Sequence, residues 1–170
     1  KNTYIENWAP SLCNLSIAQV DIPLGSSGTI ELLKQLETRW DGGGAENWDS
    51  DPFIIDLVGK IDKALGKFPY GAGFVRLGSR SPKDSFYYHE FGSKIEYGIH
   101  AVDLLTLFSE RIWEDLKLAV ANNYAAHIFV REWIDIKPWS EFRCFMKDRK
   151  LVGISQYDYI ERFPEIEQYE

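Results

Sequence analysis

The apolar positions of this chain keep two rhythms. In the first half they recur at steps of three and four, the spacing of a helix face; in the last third they alternate, the spacing of strands. Residues 15–24 place Leu15, Ile17, Val20 and Ile22 in alternation, which predicts a strand, and Pro23 puts it at an edge or an end. Ile30, Leu32, Leu33 and Leu36 predict a short helix over 29–40. The clearest helix follows. Asp51 can cap it, Pro52 suits its first position, and Ile54, Leu57, Val58, Ile61 and Leu65 form one stripe closed by Gly66 and Pro69. Residues 74–77 read as a strand and 85–91 as a second β-rich stretch. Helices are expected over 103–110, with Leu104, Leu107 and Phe108 on one side, and over 113–122, ending at Asn122-Asn123. Residues 127–136 form a strand, Pro138 marks a turn, and 141–147 and 151–157 make a hairpin about Asp148-Arg149-Lys150. There is no internal repeat. A helix-rich first half followed by antiparallel strands gives the class α+β.

Between the first two helices lies Asp41-Gly42-Gly43-Gly44-Ala45-Glu46-Asn47. Such a permissive backbone can cradle a phosphate, but no Gly-Lys-Ser/Thr follows and no strand leads in, so residues 41–48 are expected to be a flexible linker.

Composition narrows the classes. The 170 residues are 45% hydrophobic and 15% aromatic, enough to build a core and to exclude a disordered chain. The net charge is −7, and residues 158–170 hold five acids against one base, so a nucleic-acid partner is not expected. No apolar run approaches the roughly 18 residues of a membrane span, and Lys1-Asn2-Thr3-Tyr4 opens no signal peptide. The chain begins without Met and stops on a charged, aromatic tail, so a longer protein is expected. Cys13 and Cys144 make no disulfide framework; both sit among apolar neighbours and are expected to be core thiols in a reducing, cytoplasmic setting.

Three clusters interrupt strands that otherwise want burial. The first, residues 74–84, brings Arg76, Arg80 and Lys83 together with Ser79, Ser81 and Gly78. It offers several donors to an anion, or forms a solvated turn with an Arg–Asp pair. The second is Val130-Arg131-Glu132-Trp133, a flat indole beside an acceptor, or simply an alternating edge strand. The third is residues 141–146, where Glu141 and Arg143, two apart, share one strand face opposite Phe142, Cys144 and Met146. They pair with each other or serve a nucleotide, the carboxylate accepting ribose hydroxyls and the guanidinium holding a phosphate. His89, His100 and His127 lack metal-ligand spacing. Ser79 and Ser81 sit in no Gly-x-Ser-x-Gly elbow, and neither a Walker-A loop nor a Rossmann fingerprint occurs.

In order and spacing these clusters resemble the ATP-grasp superfamily, and within it the cell division cycle protein 123 family. Val130-Arg131-Glu132-Trp133, Glu141-Phe142-Arg143-Cys144-Phe145 and Ile154-Ser155-Gln156-Tyr157-Asp158-Tyr159 match that family's Arg-Lys-Trp, Glu-Phe-Arg-Cys-Phe and Ile-Ser-Gln-Arg-Asp-Tyr. Ser81-Pro82-Lys83-Asp84 resembles its Ser-x-Pro-Lys/Arg-Asp motif, and Asn7-Trp8-Ala9-Pro10 its aromatic-x-Pro segment. The resemblance covers roughly residues 5–160. It implies an ATP-grasp fold with nucleotide between two β-containing lobes, drawn here as residues 1–125 and an incomplete 126–170. Arg76 falls where the family usually has a phosphate-reaching Lys; Ser79 and Ser81 would line the same wall, and Lys83 would be a basic phosphate contact. Arg131, Glu132 and Trp133 match a hinge whose backbone reads the adenine edge, Glu141 the ribose-binding residue and Arg143 a phosphate contact. The family holds Mg2+ with late carboxylates including an Asp-x-Asn pair, and no Asp-x-Asn occurs in this chain. The function implied is ATP-dependent assembly of translation initiation factor 2 or a related protein complex, with a subunit of that factor or another protein substrate as partner. The alternative is an ATP-dependent carboxylate–amine ligase acting on a peptide or protein.

Overall fold

The computed structural model describes residues 3–41 and 50–167. The expected linker falls on residues outside these, apart from Asp41. The chain forms two compact units, Lys1–Trp133 and Ile134–Glu170.

In the first unit a three-stranded antiparallel sheet has the order β1-β3-β2, with β1 at Gln19–Pro23, β2 at Gly73–Leu77 and β3 at His127–Glu132. The sequence boundary after residue 125 therefore differs from the observed division after Trp133. β3 hydrogen-bonds on both sides within the first unit, and it is the central strand rather than an edge. β1 is an edge, as Pro23 requires.

Alternation gives the sheet two unlike faces. Val20, Val75 and Val130 share one row and Ile22, Leu77 and Ile128 the next, all on the core face. That core is covered by α2 (Gly25–Trp40), α3 (Pro52–Leu65), α5 (Gly98–Thr106) and α6 (Glu110–Ala121). The α3 stripe is fully buried at Ile54, Leu57, Ile61, Ala64 and Leu65. Each large aliphatic side chain so buried contributes about 1.5–3 kcal/mol. Asp51 caps α3 by accepting from the Phe53 amide at 2.8 Å, with Pro52 at the first helical position. Arg39 of α2 ties to α5 through Asp103 at 2.8 Å and Thr106.

Two of the expected elements are corrected. Residues 85–91 are not β: Phe86–Phe91 is α4, because the Ser85 hydroxyl accepts from the Tyr88 amide at 3.1 Å and starts a helix that aromatic composition disguised. The helix expected over 103–110 begins earlier, at Gly98, and ends at Thr106. Tyr97 gives it no side-chain cap; instead Asp62 of α3 accepts from the Gly98 amide at 2.5 Å. Leu107 is extended and Phe108 takes φ 55°, which ends the helix before Ser109 caps α6.

The second unit is a hairpin of β4 (Phe142–Lys147) and β5 (Lys150–Gln156), followed by α7 (Pro164–Glu167). Asp148 and Arg149 adopt positive φ at its two-residue turn. Every residue of β4 is exposed, so Cys144 is an exposed thiol, and Cys13, in α1 (Pro10–Cys13), is half-buried. Neither is the core thiol the sequence suggested, since apolar neighbours in a strand place a residue beside a core only when the sheet is covered.

Candidate functional site

The non-core face of the sheet carries the polar residues. Register places Gln19, Arg131 and Phe74 in one row, and Asp21, Phe129 and Arg76 in the next. Two guanidiniums thus share a face on neighbouring strands. Arg131 lies 5.5 Å from the Phe74 ring centre and donates to the Ser16 hydroxyl. Its Nε is buried with no hydrogen-bond partner, and so is Gln19 Oε1 beside it. Burial first, and the charge of Arg76 second, hold the Arg131 pKa below its ordinary value. Arg76 is half-buried; it donates from Nε to the Leu77 carbonyl at 3.0 Å and from its terminal nitrogen to the Ser79 carbonyl at 3.1 Å. Burial lowers its pKa, against which the Glu6 carboxylate acts.

An unpartnered buried donor costs about 1–3 kcal/mol. Two like charges on one face add to that cost. An anion offering several oxygens, a phosphate or a carboxylate, would relieve both.

The structure sorts the remaining sequence candidates. Ser79 and Ser81 lie half-buried in the loop after β2, with Lys83 exposed further on. Asp84 does not pair with an Arg side chain: it accepts from the Ser109 hydroxyl at 2.7 Å and the Arg111 amide at 3.0 Å, while Arg80 reaches Glu114 and Asp115. The amides of Glu132 and Trp133 are committed to the carbonyls of Ala18 (2.9 Å) and Ala72 (3.1 Å), so any adenine-reading group here would be a carbonyl or the indole face. Glu141 and Arg143 belong to the second unit. The Glu141 carbonyl accepts from the Tyr157 amide at 2.8 Å, and the Arg143 guanidinium lies 4.6 Å from the Tyr157 ring centre. A plain Glu141–Arg143 ion pair does not form.

Sequence reasoning missed Gln19, Ser16 and Glu6. Gln19 was findable: alternation of β1 against β3 puts it on the polar face beside Arg131. Among the described residues no three His, Cys, Asp or Glu side chains gather to hold a metal ion. Among them, too, no helix is long and apolar enough to cross a membrane.

The chain is 30% identical over 129 residues to cell division cycle protein 123 of Yarrowia lipolytica, covering 69% of this chain and 35% of that protein. It is 26% identical over 197 aligned positions to the translation initiation factor eIF2 assembly protein of Xenopus tropicalis, covering 97% of this chain and 58% of that protein. The chain therefore spans between about a third and three fifths of the length of these relatives. The solved structure of Cdc123 from Schizosaccharomyces pombe superposes with a TM-score of 0.74 at 20% identity, over 98% of this chain and 66% of that one. The α+β, ATP-grasp-type fold expected from the sequence is thus the fold observed. The D123 family model matches residues 37–170, and the chain belongs to the D123 family.

Proposed function

We propose that this chain binds ATP and serves the assembly of translation initiation factor 2. The observation that carries the nucleotide reading is the buried, unpartnered Nε of Arg131 beside the Arg76 charge. Phosphate oxygens accept from Arg131 and Arg76, and Lys83, Ser79 and Ser81 add donors along the loop after β2. Trp133 and the end of β3 flank the base. For Glu141 and Arg143, which belong to the second unit, the family resemblance implies a ribose acceptor and a phosphate donor. The assembly reading follows the named activity of relatives such as the Xenopus protein. A subunit of translation initiation factor 2 is the partner it implies, and the cytoplasm the compartment.

The family's Asp-x-Asn pair for Mg2+ has no counterpart in this sequence, and among the described residues no three His, Cys, Asp or Glu side chains gather to hold a metal ion. An ATP-dependent carboxylate–amine ligase acting on a peptide or protein is the alternative reading.

Isothermal titration with ATP, with and without Mg2+, tests the nucleotide part. Saturable heat is expected from the parent chain and at least a tenfold loss of affinity from Arg131→Met. No heat at millimolar ATP, or equal heat from the variant, would overturn it. Pull-down with the third subunit of initiation factor 2 tests the assembly part. Steady ATP turnover driven by an added amine would favour the ligase.

A further inference from the structure

A cavity of about 480 Å³ lies in the helical layer, where the last turn of α2 meets the first turn of α6. These helices cover the core face of the sheet, so the cavity stands across the core from Arg76 and Arg131. Two indoles line it. The ring centres of Trp40 and Trp113 are 5.8 Å apart and their planes meet at 56°, a corner rather than a stack. Phe108 packs against Trp40 edge to face at 5.9 Å, and Glu37 Oε1 accepts from the Trp113 indole nitrogen at 3.0 Å, so each ring is held in place. Trp40 nevertheless keeps 37% of its surface in solvent.

The rest of the lining is acidic: Glu37, Asp41 and Glu110. All three are exposed, and among the described residues none enters an ion pair. Nor do the carboxylates gather closely enough to hold a metal ion. A separate observation shows that the indole attracts positive charge. The Lys117 ammonium, one turn further along α6, lies 4.0 Å from the Trp113 ring centre. Lys117 does not line the cavity, and neither does any other cation.

Charge and surface together choose the guest. Indole rings bind best a cation that sheds its water readily. A bare ammonium is compact and strongly hydrated, and a guanidinium is held best by a carboxylate fork fixed in place. The carboxylates here stand on exposed side chains, and one oxygen of Glu37 is already taken by Trp113. An alkylated ammonium needs no fork. Its methyl groups pack on the rings while its spread charge is balanced by the acids around them.

We propose that the Trp40–Trp113 cavity binds an alkylated ammonium group, the head of a methylated lysine side chain or of a choline-type molecule. This goes beyond the nucleotide reading and does not rest on it.

The test is chemical-shift mapping of the backbone and indole N–H groups of the whole chain, without ATP. Four probes are titrated: a tripeptide carrying trimethyl-lysine, its unmodified lysine counterpart, a neutral counterpart ending in a tert-butyl group, and choline. Saturable shifts of the Trp40 and Trp113 indole signals are expected with the trimethyl-lysine peptide, and about fivefold weaker binding of the lysine and neutral peptides. The neutral head has the same shape without the charge, so its equal binding would overturn the assignment and leave a plain apolar patch. Equal binding of unmodified lysine, or no indole shifts with either alkylated probe at tens of millimolar, would overturn it as well. Tighter binding of the trimethyl-lysine peptide than of choline assigns a protein side chain as the source, and the reverse a small molecule; either order supports the site. Trp40→Leu is expected to erase the preference for trimethyl-lysine over its neutral counterpart, and a preference like the parent's would overturn the proposal. Should Trp40→Leu unfold, Asp41→Asn combined with Glu110→Gln changes only exposed groups. It is expected to weaken binding about threefold, while Asp56→Asn, on α3 and outside the cavity, leaves it unchanged. Undiminished binding by the double variant would overturn the proposal.

Discussion

The Glu6 carboxylate rests on Gly78, in the space a side chain there would need. A Cβ on Gly78 overlaps Glu6 Oε2, and the Ile5 amide donates to the Gly78 carbonyl at 3.2 Å. The N-terminal segment is thus seated on the loop after β2 by the absence of one methyl group. Gly78→Ala is expected to push the carboxylate aside and break its bond with Tyr124. A loss of about 1–3 kcal/mol follows for such overpacking, read as a lowered urea midpoint. An unchanged midpoint would mean the carboxylate has somewhere else to go.

Tyr124 carries a pH signature of the same contact. Desolvation, then its hydrogen bond to Glu6, pushes its phenol up to about 12 from 10.0. A raised folded-state pKa favours the neutral phenol, so this contribution to stability is whole below pH 10 and fades between 10 and 12. The fall in melting temperature across that window should be shallower in Tyr124→Phe. Identical slopes in parent and variant would place the phenol in ordinary solvent.

The start of α5 depends on a residue of another helix. Asp62→Ala removes the acceptor of the Gly98 amide and is expected to cost about 1–2 kcal/mol, as losing a helix cap does. Gly98→Ala should cost more, because a Cβ there meets the Val58 backbone carbonyl at 2.5 Å, and backbone cannot swing away. Chemical denaturation of the two variants ranks them; the reverse order would mean α3 and α5 separate easily.

The two thiols should differ in reactivity. Cys144 is exposed on β4 and Cys13 half-buried in α1. Under native conditions an alkylating reagent is expected to modify Cys144 first, and both at similar rates in denaturant. Mass spectrometry of timed digests reads the order.

What the sequence disclosed follows from how local each signal is. α3 and the β4–β5 hairpin were legible because stripe, cap and turn lie within one short stretch. α4 was misread because Ser85, the residue that decides it, stands just outside an aromatic run that favours strands. The start of α5 was hidden because its cap, Asp62, lies 36 residues away. At the site, Arg76 and Arg131 showed themselves as charges inside apolar strands. Gln19 and Glu6 join them only through strand register and the folding-back of the N-terminus, which no local pattern records.

The order β1-β3-β2 also dictates when the first unit can come into being. β1 and β2 do not touch; the strand that joins them is the last of the three to be made, pairing Arg131 with both Gln19 and Phe74. As the chain leaves the ribosome, helices such as α3 can form early, but the sheet has no middle until residue 132 has emerged. Such distant pairings are slow to close. Two strand edges then wait, open to wrong neighbours, through most of the unit's synthesis.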